Sequence, residues 1–156
     1  MQIKTISRWL TLAALLLILP AGVCQAQKPA TPEAAALKEI QVSFQVDPRV
    51  TRGSYIGEKW VMPPDYVRVQ EGKNPLTVPA KAMGRDAQGK QVTISPTWKP
   101  GNADLVQVSP AEGAEVEITV LKEGQSDLTV TSGGVSKKLN VKAVRQGESL
   151  RVNILQ

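Results

Sequence analysis

Ile40-Gln-Val-Ser-Phe-Gln-Val46 puts Ile40, Val42, Phe44 and Val46 on one side of an extended chain and Gln41, Ser43 and Gln45 on the other. Successive strand side chains point to opposite faces, so this stretch reads as a strand with one face on a core and one in water. The alternation recurs along the chain. Leu76, Val78, Ala80 and Ala82 form one run, and Val116, Ile118 and Val120 alternate with Glu115, Glu117 and Thr119 before Leu128 and Val130. Leu139, Val141 and Ala143 alternate with Lys138, Asn140 and Lys142, and Leu150, Val152 and Ile154 with Arg151 and Asn153. No stretch after residue 26 has a comparable helical period.

Turn residues separate these runs at short intervals: Glu71-Gly-Lys-Asn-Pro75, Asp86-Ala-Gln-Gly89, Pro100-Gly-Asn102, Ser132-Gly-Gly134 and Gln146-Gly147. Glycine supplies the positive φ of tight turns. Short strands punctuated this often argue for an antiparallel sandwich or barrel. The chain's size and a single buried-type Trp favour the sandwich.

Upstream, Lys4 and Arg8 precede the apolar run Trp9–Leu19, closed by Pro20. This is the layout of a secretory signal, and at about 11 residues the run is shorter than the roughly 20 a membrane-spanning helix needs. Small residues at Ala21, Gly22 and Ala26 suit cleavage after Ala26, giving a signal over residues 1–26. A second reading makes Ala21-Gly-Val-Cys24 a lipoprotein signal with Cys24 lipidated, which anchors the chain without a spanning helix. Both routes export the protein to the periplasm, the cell surface or beyond. Residues 27–38, rich in Pro and Ala, read as a tether, and residues 39–156 as one domain.

Composition removes much of enzymology. The sequence has no His, and its one Cys is Cys24, so after the signal no Ser-His-Asp triad, Cys nucleophile, His/Cys metal site or internal disulfide is available. The expectation is a protein that is not an enzyme and uses no cofactor or metal. The net charge of +5 falls by two when Lys4 and Arg8 leave with the signal, too little to argue for nucleic acid. Acids concentrate in residues 104–127 and bases in 130–156, which reads as neighbouring strands with complementary exposed faces.

Val67-Arg-Val-Gln-Glu-Gly72, Leu76-Thr-Val-Pro-Ala80, Asp86-Ala-Gln-Gly89 and Pro96-Thr-Trp98, then Leu105–Ser109, Glu123–Val130 and Leu139–Val144, come in an order that resembles the group 2 bacterial immunoglobulin-like domain of intimin- and invasin-like surface proteins. The resemblance covers residues 67–144. It implies an all-β, immunoglobulin-like antiparallel sandwich with Trp98 in the core between the sheets. Trp98 departs from the family in being followed by Lys-Pro-Gly-Asn102 rather than a Ser-Ser-Asp-like turn. Ile40–Val46 and Leu150–Leu155 lie outside the match and are expected to add N- and C-terminal strands, side by side. The implied function is a non-catalytic module, binding or structural, at the bacterial envelope or surface.

Phe44 and Trp98 are the aromatic core candidates. Asp47–Tyr66 fits no strand pattern, yet it holds Tyr55, Trp60 and Tyr66 with Arg49, Arg52 and Lys59. Aromatic faces stack on sugars, and the cations suit carboxylates or phosphates, so Arg49, Arg52, Tyr55, Trp60 and Tyr66 are the candidate ligand-binding residues. The competing reading packs the aromatics over one end of the sandwich. The partner is thus a protein or a polysaccharide of the envelope, with a carbohydrate- or wall-polymer-binding role for segment 55–66 as the alternative function. Glu115 and Glu117 share a strand face roughly 7 Å apart, a separation seen in glycosidases, but that face reads as solvated.

Overall fold

The computed structural model describes residues 37–46, 59–72 and 74–156, all within the compact unit Pro32–Gln156; the other unit, Met1–Thr31, lies outside them. The expected signal with Cys24, and Arg49, Arg52 and Tyr55, also lie outside the described residues.

The alternating runs become strands: Leu37–Gln45 (β1), Trp60–Val61 (β2), Asp65–Gln70 (β3), Leu76–Asp86 (β4), Gln91–Val92 (β5), Thr97–Pro100 (β6), Val106–Ser109 (β7), Glu115–Val120 (β8), Gly124–Ser132 (β9), Val135–Gln146 (β10) and Ser149–Leu155 (β11). One sheet has the order β2-β1-β4-β8-β7, with β5 also on β4, and the other the order β3-β11-β10-β9-β6. Each pairing is antiparallel. The protein is an immunoglobulin-like antiparallel β-sandwich. In that fold the strands A-B-E-D form one sheet and C-F-G the other. Here β1-β4-β8-β7 and β6-β9-β10 reproduce those orders, in chain sequence from A to G.

The inward sides of the runs form one core. Ile40, Val42 and Phe44, Leu76, Val78 and Ala80, and Val116, Ile118 and Val120 meet Leu128, Val130, Leu139, Val141, Val152 and Ile154 of the facing sheet, all buried. Trp98, 2% exposed, closes the gap between the sheets at β6, its indole N–H donating to the Gly113 carbonyl at 2.9 Å. Local chemistry sets the turns. Asp86 accepts the amides of Gln88 and Lys90 at 3.0 and 2.8 Å, so Asp86–Gly89 is a side-chain-capped hairpin turn. Gly124 starts β9 at φ 138 with Leu105 against its Cα, where a Cβ would meet Leu105 Cδ1 at 2.5 Å.

Three expectations need correcting. Both outer segments form strands, but in opposite sheets: β1 pairs with β4, while β11 folds back from β10 through Gly147 and must lie beside it. Asp47–Tyr66 is not wholly irregular, since it contains β2 and the first two residues of β3. The acidic and basic segments are not neighbours throughout. The chain crosses from the first sheet to the second between β8 and β9, which puts Glu115 and Glu117 in the first and Lys138 and Lys142 in the second; the ion pair that joins the segments is Lys138–Asp127, across β9 and β10, at 2.7 Å.

Candidate functional site

The candidate aromatics part company in the structure. Tyr66 is a core residue, 7% exposed, stacked on Phe44 with ring centroids 4.7 Å apart and its hydroxyl donating to the Gln45 carbonyl at 2.8 Å. The binding role expected for Tyr66 is therefore corrected: its ring is spent on packing, because β3 turns its even-numbered side chains inward at the sandwich end. Phe44 and Trp98 are buried.

Trp60 goes elsewhere. Its neighbour Val61 lies opposite Phe44 and packs on the core, so Trp60, opposite Gln45, faces out from the first sheet. It remains partly exposed and forms one wall of a groove of about 410 Å³. The register builds the rest. Pro79 on β4 lies opposite Glu117 on β8, which lies opposite Ser109 on β7. Gln45 follows the last β1–β4 pair, Phe44 with Ala80, and so adjoins Pro79. The groove thus carries Trp60, Gln45, Pro79, Glu117 and Ser109 in one row across five strands, and Pro110 closes its far end. Four inter-strand spacings make the row about 19 Å long.

A parallel row borders it. Lys81 lies between Ser43 and Glu115 in register; its ammonium pairs with the Glu115 carboxylate and sits 5.9 Å from the centre of the Trp60 ring. The pair is largely solvent-exposed, at 34% and 61%, so it contributes little stability. Its effect is to set the Lys81 cation between indole and carboxylate. Glu117, exposed, has no ion-pair partner among the described residues.

Trp60 is legible in the sequence, where Glu115 and Glu117 read as a solvated face; Gln45, Pro79, Lys81 and Ser109 are not. Pro79 was the available signal, a residue without an N–H inside the alternating Leu76–Ala82 run. The β1–β4 ladder stops at Ala80, one residue short of it.

Asp127, on the outer face of the second sheet, has its carboxyl held below the usual range by hydrogen bonds from Lys138 and Asn140. It packs with its own neighbours rather than toward a cleft. Among the described residues no three His, Cys, Asp or Glu side chains gather as a metal site would, and no helix is long and apolar enough to cross a membrane. Comparisons with protein-family models, curated proteins and solved structures give no match.

Proposed function

We propose that the protein is a non-catalytic, exported immunoglobulin-like module that binds a protein or polysaccharide partner at the bacterial cell envelope or surface, akin to the group 2 bacterial immunoglobulin-like domain. The observation that carries this reading is the A-to-G strand order, in which strands B to G fall, but for the end of β10, within residues 67–144, the span of the resemblance, while β1 supplies strand A from outside it and the stretch from Val67 runs in β3 beside β11 instead. Asp86–Gly89 turns out of β4, Trp98 opens β6 from the core, and Glu123–Val130 and Leu139–Val144 run through β9 and β10. Export rests on the Lys4/Arg8 head and the apolar run to Leu19. Fold alone names no ligand; the outward groove at Trp60 supplies a surface on which one is held.

The test is fractionation of cells that make the full chain with a C-terminal tag, followed by mass spectrometry of its N-terminus and by sedimentation of the purified protein with isolated envelopes. Expected is a chain outside the cytoplasm that begins at Gln27 or at a lipidated Cys24 and co-sediments with envelopes. A chain left in the cytoplasm with Met1 to Leu19 intact refutes the reading.

A further inference from the structure

We propose that the groove running from Trp60 to Ser109 is a glycan-binding site, and that its ligand is an uncharged, β-linked polysaccharide strand lying across the sheet. The inference rests on the binding-module reading above and adds the residues and the ligand class.

The side chains in the row suit a sugar chain better than a peptide. A pyranose has an apolar C–H face and a rim of hydroxyls, each both donor and acceptor. The row offers flat apolar surface at Trp60 and Pro79, and between and beyond them groups of both kinds: the Gln45 amide, the Glu117 carboxylate and the Ser109 hydroxyl, with Lys81 as a donor at the margin. A carboxylate accepting from sugar hydroxyls makes the stronger, charge-assisted kind of hydrogen bond. The row is about 19 Å long, which matches about four linked rings of an extended β-linked chain. A coiled α-linked chain does not lie along it.

A peptide that joins a sheet does so by backbone pairing along a strand edge. This row crosses the strands, and β1, β4 and β8 beneath it each lie between two neighbouring strands, with β2 and β7 as the edges at its two ends. A peptide added to an edge would therefore run alongside β2 or β7, at right angles to the row and touching only one end of it.

Charge narrows the class further. Glu115 is paired with Lys81, whereas Glu117 has no ion-pair partner among the described residues. Among those residues the groove thus carries one uncompensated negative charge, which disfavours uronic-acid or phosphate polymers. The same charge, beside an indole, is what a cationic peptide would seek, and that ligand is the rival the experiment must separate.

The purified protein is titrated calorimetrically with hexamers of β-linked glucose and of β-linked N-acetylglucosamine, with oligogalacturonate, with hexa-arginine and with a proline-rich peptide. Trp60→Ala, Trp60→Phe and Glu117→Gln are run beside the wild type, and each must keep the wild-type circular dichroism spectrum and unfolding midpoint. Expected is saturable binding of an uncharged hexamer. Trp60→Ala weakens it at least tenfold, Trp60→Phe restores part of it and Glu117→Gln weakens it severalfold; oligogalacturonate does not bind. The proposal is overturned if neither uncharged hexamer binds, if Trp60→Ala binds as well as the wild type, or if hexa-arginine or the proline-rich peptide is preferred. Envelope co-sedimentation in parallel separates the two levels. Retention on envelopes that survives Trp60→Ala, with no hexamer bound, sinks the glycan site and spares the binding module; loss of both sinks both.

Discussion

Replacing Trp98 with Ala removes the largest buried side chain of the core, and the structure indicates which part of the usual penalty applies. Trp→Ala in a closed core costs about 3–5 kcal/mol, from lost transfer energy plus the cavity left behind. Here the ring borders a groove of about 330 Å³ between β6 and β7, lined also by Pro100, Val106 and Val108. Water can enter from that side, so the cavity component shrinks. The Gly113 carbonyl loses its indole donor, but Gly113 is only partly buried and solvent takes over. The expected loss is therefore about 3–4 kcal/mol, or a fall in melting temperature of very roughly 10–15 °C for a domain this size. Trp98→Phe keeps most of the ring contact and should cost about half as much. Urea unfolding followed by far-ultraviolet circular dichroism gives both values, with an unchanged slope as the check that the native fold persists. A loss below about 1.5 kcal/mol for Trp98→Ala refutes the placement of the ring. Equal losses for Ala and Phe show that the N–H bond to Gly113, rather than ring volume, carries the stability.

Gly84 sits inside β4, where an added Cβ meets Leu37 Cδ1 at 2.5 Å, Ile94 Cγ2 at 2.8 Å and the Val92 carbonyl at 3.1 Å. Gly84→Ala should destabilise by about 1–3 kcal/mol through overpacking, and an unfolding midpoint at or above wild type contradicts that. Tyr66→Phe deletes the hydroxyl that donates to Gln45 and keeps the stack on Phe44, so a loss of about 0.5–1.5 kcal/mol is expected; a loss several times larger means that the ring itself has moved. Asp127 has a depressed folded-state pKa, so its stabilising effect is present above the ordinary aspartate value of 3.8 and is lost as pH falls through the folded value. Asp127→Asn is accordingly expected to be less stable than wild type at pH 7 and to converge with it in strong acid, read from urea midpoints across pH. A difference that does not change with pH rules out the ion pair with Lys138 as its source.

Period-two alternation marked nearly every long strand, because it reports which side chains leave water. It is silent on which sheet a strand joins. Ile40–Phe44 and Leu150–Ile154 look alike as sequences, and their separation into opposite sheets comes from what each is tied to: β1 to the far half of β4, β11 to β10 through a glycine turn. β3 misleads more directly. Its valines suggest the buried face, yet Val67 and Val69 are 41% and 45% exposed while Tyr66 is 7% exposed. The strand lies at a sheet edge, where there is little core left to cover, and the one large ring that reaches Phe44 fixes which face turns inward.

The groove was beyond single-sequence reading for a different reason. Trp60, Gln45, Pro79, Glu117 and Ser109 share a row only through a succession of registers, and a slip of one residue in any of them sends a strand's whole outer set to the core. Those registers are held by the opposite sides of the same strands: Val61 against Phe44, Phe44 against Ala80, and Val78 and Ala80 against Ile118 and Val116. The core thus aligns the site without contributing a side chain to its chemistry. Pro79 joins the two roles. It keeps its place in the β4–β8 register opposite Glu117, has no N–H to extend the β1 ladder past Ala80, and sets a flat ring where that ladder ends. A central-strand proline is a poor choice for a sheet that only had to be stable, and its position in the middle of the row is the local feature that the proposed recognition role accounts for.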